Sequence, residues 1–443
     1  LKPLIIENAK HKWRGLNLPI VSRIIDSQLI DQECILIGLI YKEMKLRTSV
    51  LDEIRDGYNL SGTINALENY TSDSDQIYLE DESGRVHLLT NQLTNQLINL
   101  QNELVTGVII GVRGKYLADT DGSFTIIDWV YSQQIVSSEK ISNTKQDLPN
   151  DCSNCSFIAF ISGLEIGNKS NETESSDDYL LVCQLLVDYL TGKIGGEIDR
   201  NISKNIVRIV LAGNSISLSD PLLTRDKEIA AQHKIVSSQA IKQFDILLSQ
   251  LVSSCPVDLM PGPTDPSCHL LPQQPFHSSL LPYSIRFNTL NRLTNPSIQL
   301  LNDLSAGLSK TIVGHSGLPV DDIMVQTDRS MDGLSSQDLT INILRDTLQW
   351  GHIAPTAPDT LPCYPFTDND PFILDKLPDI YFCGNQEDFN SQLVESYIND
   401  TTNYQTLLLS IPSFYLTRQI VLVDLITLTS YLISFQTDSY IDS

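Results

Sequence analysis

Positive charge is scarce in this chain. Lys and Arg total 30 against 54 Asp and Glu, a formal net charge of −24 over 443 residues. Affinity for nucleic acid comes largely from Lys and Arg contacts to phosphate, so an isolated chain this acidic is repelled by the backbone of DNA. Any role at DNA is expected to run through a partner, unless a local basic patch overturns the global balance. Cysteine is thinly spread as well: of eight, only Cys152 and Cys155 lie close together. A secreted disulfide scaffold is smaller and denser in cysteine, so a reducing intracellular compartment is the expected setting. A metal or redox use of that pair would need a second pair at fixed spacing, or a βα turn directly after it. Neither is evident, and a structural role is expected. Long apolar runs are missing too. The longest, residues 420–435, contains Asp424 and several Ser and Thr, so it reads as strand–turn–strand and not as a membrane span or signal peptide. A soluble protein is expected. Asn168, Asn171, Asn201 and Asn399 open N-x-S/T triplets of the kind that an Asn- and Ser-rich chain produces by chance. The chain opens on Leu1 rather than Met, which leaves room for residues ahead of it or between its segments.

What is there is a globular protein, with 41% hydrophobic residues and length enough for two or three domains. Residues 1–30 form a helical or irregular lead-in. From Cys34 the pattern turns β. Residues 34–41 are an apolar run with a central glycine, which suggests a bent strand. Residues 76–89 alternate and turn at Glu82-Ser83-Gly84, as a hairpin does. Residues 104–113 and 123–131 supply two more strands. About five short, curved strands in roughly 100 residues predict a small closed barrel, an OB-fold spanning 31–135. Residues 66–78 and 90–103 are the expected connections, the second helical. OB-folds often bind single strands through aromatic platforms and a basic groove. Residues 31–131 carry only 7 Lys and Arg against 16 Asp and Glu, so a barrel packed against protein is the preferred expectation.

After a polar linker, 136–155, the period changes. Expected strands at 156–162, 205–212, 257–260, 310–314, 379–383, 406–411, 419–425 and 428–435 are interleaved with expected helices at 179–191 and 228–253. The alternation predicts a layered α/β sandwich over 156–443. Its most unusual stretch is VDLMPGPTDPSCHLLPQQPFHSSLLPYS, residues 257–284, with six prolines in 28 residues. Proline fixes φ and donates no N–H, so the segment after Met260 is a long rigid loop at the C-terminal end of a strand. In open α/β folds that is where functional groups sit.

Two-metal phosphoesterases place D-x-H, G-D-x-x-D, G-N-H-D/E, a lone His and G-H-x-H on successive strand-end loops. Two divalent ions need carboxylates, imidazoles and one carboxamide around them, so that a bridging hydroxide can attack phosphorus. This chain keeps the layout and departs from the chemistry. Gly163 stands for the first Asp and Glu165 for its His. Asn214 follows Gly213 where Asp is required, and Ser217 sits at the later Asp position. Pro263 and Thr264 replace Asn and the catalytic His, while Asp265 remains. His315 is the lone His, and Asn385 and Glu387 stand where the last two histidines would. An intact hydrolytic centre is not expected: Glu165, Asp265 and His315 read as hydrogen-bonded loop residues, Asp265 in an Asx-type turn before Pro266. His352, in another proline-stiffened loop, reads as structural.

Taken together, the segments MPGPTDPS, LPQQPFH, IAPTAPDTLPCYPF, DPFILDKLPDIYFCGNQ and the barrel run VLDEI…IYLEDESGRVHL…TGVIIGVRG resemble the small (B) subunit of eukaryotic DNA polymerase delta, closest in character to its fungal branch. The resemblance runs from about Trp13 to Phe435. It implies an OB-fold packed on a calcineurin-like phosphoesterase domain that has lost its activity, with no catalytic residues, metal or cofactor. It also implies a nuclear scaffold that bridges the cysteine-rich C-terminal metal module of the catalytic subunit to a third subunit, which carries a sliding-clamp-binding tail; DNA and the clamp are reached only indirectly, and no membrane is involved. Two other readings stay open at this point: a divergent metal-dependent phosphodiesterase or nuclease using Asp265, His315 and Glu165, and single-strand binding through the barrel.

Overall fold

The computed structural model describes residues 1–30, 32–47, 69–72, 74–90, 100, 102–117, 122–136, 155–168, 176–218, 227–303, 307–328, 336–398 and 402–435. The expected connection at 90–103 and residue Cys152 of the cysteine pair fall largely or wholly outside them, as does most of the polar loop 168–178.

The expected OB-fold is present. Five strands, β1 (Cys34–Glu43), β2 (Gln76–Asp81), β3 (Gly84–Thr90), β4 (Ile109–Leu117) and β5 (Ser123–Val130), close into a barrel in the order β1-β2-β3-β5-β4. Only β3 and β5 run parallel, with Leu88 opposite Phe124. The lead-in is a helix, α1 (Lys2–Lys12), and it packs on the outer wall of the barrel. Ile5 and Ala9 lie one turn apart, and with Trp13 just past the helix end they bury against Ile35, Ile37 and Val130. Asp128 fastens this helix, accepting from the Trp13 indole at 2.8 Å and from Lys12 at 2.7 Å.

Strand β4 begins five residues later than its apolar run suggests. Leu104, Val105 and Val108 are buried, but in a turn and not in a strand. The cause is Gly107. Its φ is +95°, and a Cβ there would lie 1.8 Å from the carbonyl oxygen of Pro355. The chain must turn where it presses on that loop of the second domain.

The second domain is a sandwich of two six-stranded sheets. One has the order β10-β9-β8-β7-β16-β17: β7 is Phe157–Ile161, β8 Ile206–Ala212, β9 Val257–Met260, β10 Leu290–Arg292, β16 Gln419–Asp424 and β17 Ser430–Ser434. The other has the order β11-β12-β13-β15-β14-β6, with β6 at Ile135–Val136, β11 at Ser297–Asp303, β12 at Leu308–His315, β13 at Ile380–Gln386, β14 at Asn390–Ile398 and β15 at Thr402–Pro412. Strands β7 to β10 run parallel to one another, as do β12, β13 and β15. Because both faces are covered, β7 is buried at all five positions, the continuous apolar pattern of an inner parallel strand. Phe160, Val210 and Met260 of one sheet meet Phe382, Leu409 and Ile411 of the other in the central layer. Helices α2 (Ser176–Leu190), α3 (Glu197–Lys204) and α4 (Lys227–Val252) cover the first sheet. Helices α5 (Leu318–Gln326) and α6 (Ser336–Trp350) cover the second and share its core with the barrel.

Barrel and sandwich form one packed unit. Strand β6 leaves the barrel and pairs with β14, Ile135 opposite Ser396. The buried Lys42 ammonium donates to the Gln326 carbonyl at 2.8 Å, and Ser132 Oγ donates to the Trp350 carbonyl at 2.8 Å. Gly107 is the tightest of these junctions. Gly107→Ala is expected to lower unfolding free energy by roughly 2–5 kcal/mol, through a left-handed φ and an overlap that backbone must relieve. Urea denaturation checks this; a change under roughly 0.5 kcal/mol would mean that the contact with Pro355 is not tight.

Candidate functional site

The parallel strands of the two sheets point their C-terminal ends the same way, and five loops converge there: residues 162–167 after β7, 213–218 after β8, 261–265 after β9, 315–317 after β12 and 384–387 at the end of β13. Their backbones share one property. Glu165, Asn214 and Asn385 have φ of +45°, +52° and +59°, and Gly163, Gly213 and Gly317 also lie at positive φ. Left-handed residues turn a chain sharply enough to lay successive loops edge to edge. The result is a closely stitched surface in which Gly163 N donates to Gly213 O at 3.0 Å, Glu165 N to Asn214 O at 2.9 Å and Ser217 N to Ile166 O at 3.0 Å. There is no space for larger side chains. A Cβ at Gly163 would lie 2.4 Å from Ser413 Oγ, and one at Gly213 2.6 Å from Ser316 Cβ.

Neutral groups fill the point of convergence. Asn385 reaches from the second sheet to the first, its carboxamide donating to Ser316 O at 2.7 Å and Ala212 O at 3.3 Å. Its backbone N–H donates to Ser162 Oγ at 2.9 Å, and Ser162 Oγ donates to the Ile411 and Pro412 carbonyls. Behind it, the fully buried Asn295 accepts from Ser316 N at 3.1 Å and donates to Ser316 Oγ and Gln273 Oε1, each at 2.7 Å. Ser162, Asn295, Gln273, Ser316 and Ser413 have no place in the motif layout. They are polar residues far apart in sequence that meet only in three dimensions.

Asp265 and His315 are the two titratable groups deepest in this region. The Asp265 carboxylate accepts from Ile216 N and Gly262 N at 2.8 Å and from Ser215 N at 3.2 Å, so it ties the loop after β9 to the loop after β8. Burial pushes its pKa up to about 7, with those N–H groups pulling the other way. Thr264 adds to the same seam, its N–H donating to Asn214 Oδ1 at 3.2 Å and its hydroxyl to Ile216 O at 2.9 Å. His315 is fully buried, and its Nδ1 accepts from Gly317 N at 3.1 Å. The ring proton therefore sits on Nε2, and the ring lies edge-on to Tyr381 with centroids 6.0 Å apart. Burial pulls its pKa down to about 3, so it is neutral at physiological pH.

The remaining positions spread outward. Glu165 is partly buried, and its carboxylate accepts from Asn168 at 2.5 Å; burial pushes its pKa up, and the Asn168 bond partly opposes this. Ser217 and Pro263 are half-buried, and Glu387 is exposed. Among the described residues, no three His, Cys, Asp or Glu side chains come together in a group that could hold a metal ion. The structure brings together Gly163, Asn214, Thr264, Asp265 and Asn385 as one hydrogen-bonded cluster, with His315 beside it. The hydrogen bonds of this cluster tie the loops to one another. The cluster pairs no nucleophile with a base, and its one deep carboxylate is saturated by backbone donors.

Beside the cluster, residues Pro263 to Ser267 form one wall of a groove of about 980 Å³, faced by Ile241 and Lys242 of α4 and closed by Leu280 and Tyr283. The groove keeps its shape because Asp245 of α4 accepts from Tyr283 N at 2.8 Å and Ser284 N at 3.0 Å. His352, expected to be structural, is largely buried and pairs with Asp370 at 2.8 Å.

Comparison with known proteins agrees with this architecture along almost the whole chain. A family profile described as DNA polymerase delta subunit OB-fold domain matches residues 1–129, and one for the B subunit of DNA polymerases alpha and epsilon matches residues 158–391. The chain is 33% identical over 406 residues to the DNA polymerase delta small subunit of Oryza sativa subsp. japonica, covering 92% of this chain and 84% of that protein. It is 33% identical over 424 residues to the DNA polymerase delta small subunit of Saccharomyces cerevisiae, covering 90% and 78%. A more distant likeness, 22% over 333 residues, links it to the DNA polymerase II small subunit of the archaeon Methanothermobacter thermautotrophicus.

The buried imidazole makes a testable statement about pH. A base whose folded pKa lies below its unfolded value of about 6.5 contributes stability that is complete above that value and lost as pH falls toward the folded one. At pH 5 the loss amounts to about 2 kcal/mol. Asp265, raised to about 7, works in the opposite sense, because the native state then holds more protons between about pH 4 and 7. His315→Gln isolates the imidazole. The stability gap between wild type and variant is expected to shrink by about 2 kcal/mol between pH 7.5 and 5, measured by urea denaturation. A gap that stays constant would mean that His315 is not held neutral.

Proposed function

The chain belongs to the DNA polymerase delta small-subunit family, and from that premise we propose that it is a non-catalytic scaffold of the replicative polymerase, built on a phosphoesterase layout that no longer hydrolyses. In this reading residues 31–135 are the OB-fold domain and 156–443 the inactive phosphoesterase-like domain. Together they bridge the cysteine-rich C-terminal module of the catalytic subunit to a third, clamp-binding subunit, in the nucleus. DNA and the clamp are reached through those partners.

One observation carries the proposal. Where two cations would need four or more charged or imidazole ligands, the converging loops present Asn385, Asn214, Thr264 and Ser316, tied into the loops by their own hydrogen bonds, while the buried Asn385 Oδ1 has no hydrogen-bond partner among the described residues. Gly163, which stands for the first Asp, supports the same reading, because a Cβ there would lie 2.4 Å from Ser413 Oγ. Pro263 offers no side-chain ligand in place of a carboxamide. The surplus of 24 negative charges fits a subunit that meets protein and leaves DNA to others.

Co-expression with the C-terminal module of the catalytic subunit tests the scaffold role. The two are expected to elute together on size exclusion at physiological salt, and separate migration would sink the idea. Restoring the motif tests the loss of activity. Pro263→Asn with Thr264→His rewrites one loop of five, and no hydrolysis of a chromogenic phosphodiester is expected with Mn²⁺. Measurable turnover in that double variant would contradict the proposal.

A further inference from the structure

We propose that the outer face of two proline-rich loops, residues 269–272 and 362–370, is the docking surface for a basic, apolar segment of a protein partner. The loops are joined by a short stretch of parallel pairing: Leu271 N donates to Pro362 O and Tyr364 N to Leu271 O, both at 2.9 Å. In such pairing neighbouring residues alternate between inside and outside. Leu271 is 1% exposed, whereas Leu270 and Tyr364 are 45% and 57% exposed. Phe366, 46% exposed, returns against Tyr364 with ring centroids 5.0 Å apart in an edge-to-face arrangement. Single exposed apolar residues are ordinary on any surface; two touching aromatic rings beside a leucine form a patch.

This patch cannot fold itself away. The Leu271 pairing fastens the start of the aromatic loop, and Ile353 N to Phe372 O and Leu374 N to Gly351 O fasten the chain just past its end. Asp370 anchors that end, accepting from His352 at 2.8 Å and from Phe372 N at 2.9 Å. Rigid aromatic anchors lose little entropy on binding, which suits them to recognition.

Charge selects the occupant. Residues 351–375 hold four aspartates, Asp359, Asp368, Asp370 and Asp375, with no Lys or Arg, and residues 257–284 hold no Lys or Arg either. Asp359 is engaged by Arg47 at 2.6 Å, while Asp368, two residues past Phe366, and Asp370 are exposed, and the exposed Asp375 is followed by the exposed Lys376. Nucleic acid and anionic membranes are repelled by such a surface, and a second copy of this acidic chain is disfavoured in the same way. A segment with Lys or Arg beside aliphatic side chains fits both halves of the surface. Its cations can lie over the face of Tyr364 and against Asp368, while its apolar groups cover Leu270 and Phe366.

The inference rests on the scaffold reading, since it needs a protein partner, and the test separates the two. The full chain is titrated with the catalytic subunit's C-terminal module and, separately, with the third subunit. Wild type is compared with Tyr364→Ser/Phe366→Ser and with Asp368→Lys. Both variants are expected to bind one of these partners at least ten-fold more weakly, to bind the other unchanged, and to melt at the wild-type temperature. The Asp368→Lys loss is expected to shrink at high salt. If both variants bind both partners like wild type, the docking surface is wrong while the scaffold stands; if wild type binds neither partner, both proposals fall. Should the double variant unfold, Asp368→Lys alone decides the same question.

Discussion

One carboxylate holds together the end of the molecule on which everything else depends. Asp265 accepts three backbone N–H groups, two from the loop after β8 and one from its own turn. A buried acceptor with three donors is costly to lose, because each orphaned N–H then carries its own desolvation penalty. The turn it fixes sets the course of the proline-rich loop that follows. Downstream, Gln273 donates to Gly262 O and pairs with Asn295, and Asn295 in turn sets Ser316. Loops of both sheets are thus registered through a chain of contacts that starts at a single side chain.

That chain of contacts also draws the strand-end loops of the two sheets together through largely neutral groups. Loops rich in carboxylates repel one another unless metal ions neutralise them. Here the groups at the centre are carboxamides and hydroxyls, each able to donate and accept at once. Asn385 satisfies two carbonyls, and Asn295 satisfies both ends of Ser316. The one deep imidazole is neutral.

Sequence reasoning reached the elements that carry strong local signals. The inner strands are continuous apolar runs, and the hairpin of β2 and β3 turns at Glu82-Ser83 under the Asp81 carboxylate, which accepts from Ser83 N at 2.7 Å. Weaker periods were invisible. Strand β11 exposes Ile298 and Leu300 on one side, so it alternates apolar with apolar and polar without order. Helix α6 places Thr340, Asp346 and Thr347 among its buried positions, and Thr340 is held there by donating to Gln386. Strand β4 was misplaced for a reason that no local window contains: Gly107 turns against Pro355, 248 residues away by the numbering of the chain. The positions of the site loops were legible for the same reason as the strands before them. Their bonding was not, since Asn385 meets Ala212 and Asn295 meets Ser316 across gaps that no motif spans.

Rigidity inside and display outside follow from the same prolines. Within the loops after β9 and α6, proline removes donors that would otherwise need partners, and it limits the conformations the chain can sample when unfolded. The donors that remain are used up internally, by Asp245, Asp265, Asp370 and the Leu271 pairing. A loop whose backbone is already satisfied presents only side chains to a partner, held in one arrangement. Such a surface binds without first ordering itself, so little of its contact energy is spent on entropy. In the scaffold reading proposed above, the cross-bonded loop ends and the stiffness of the proline-rich loops act together: both hold this end of the sandwich in one arrangement, which makes a firm surface for another protein.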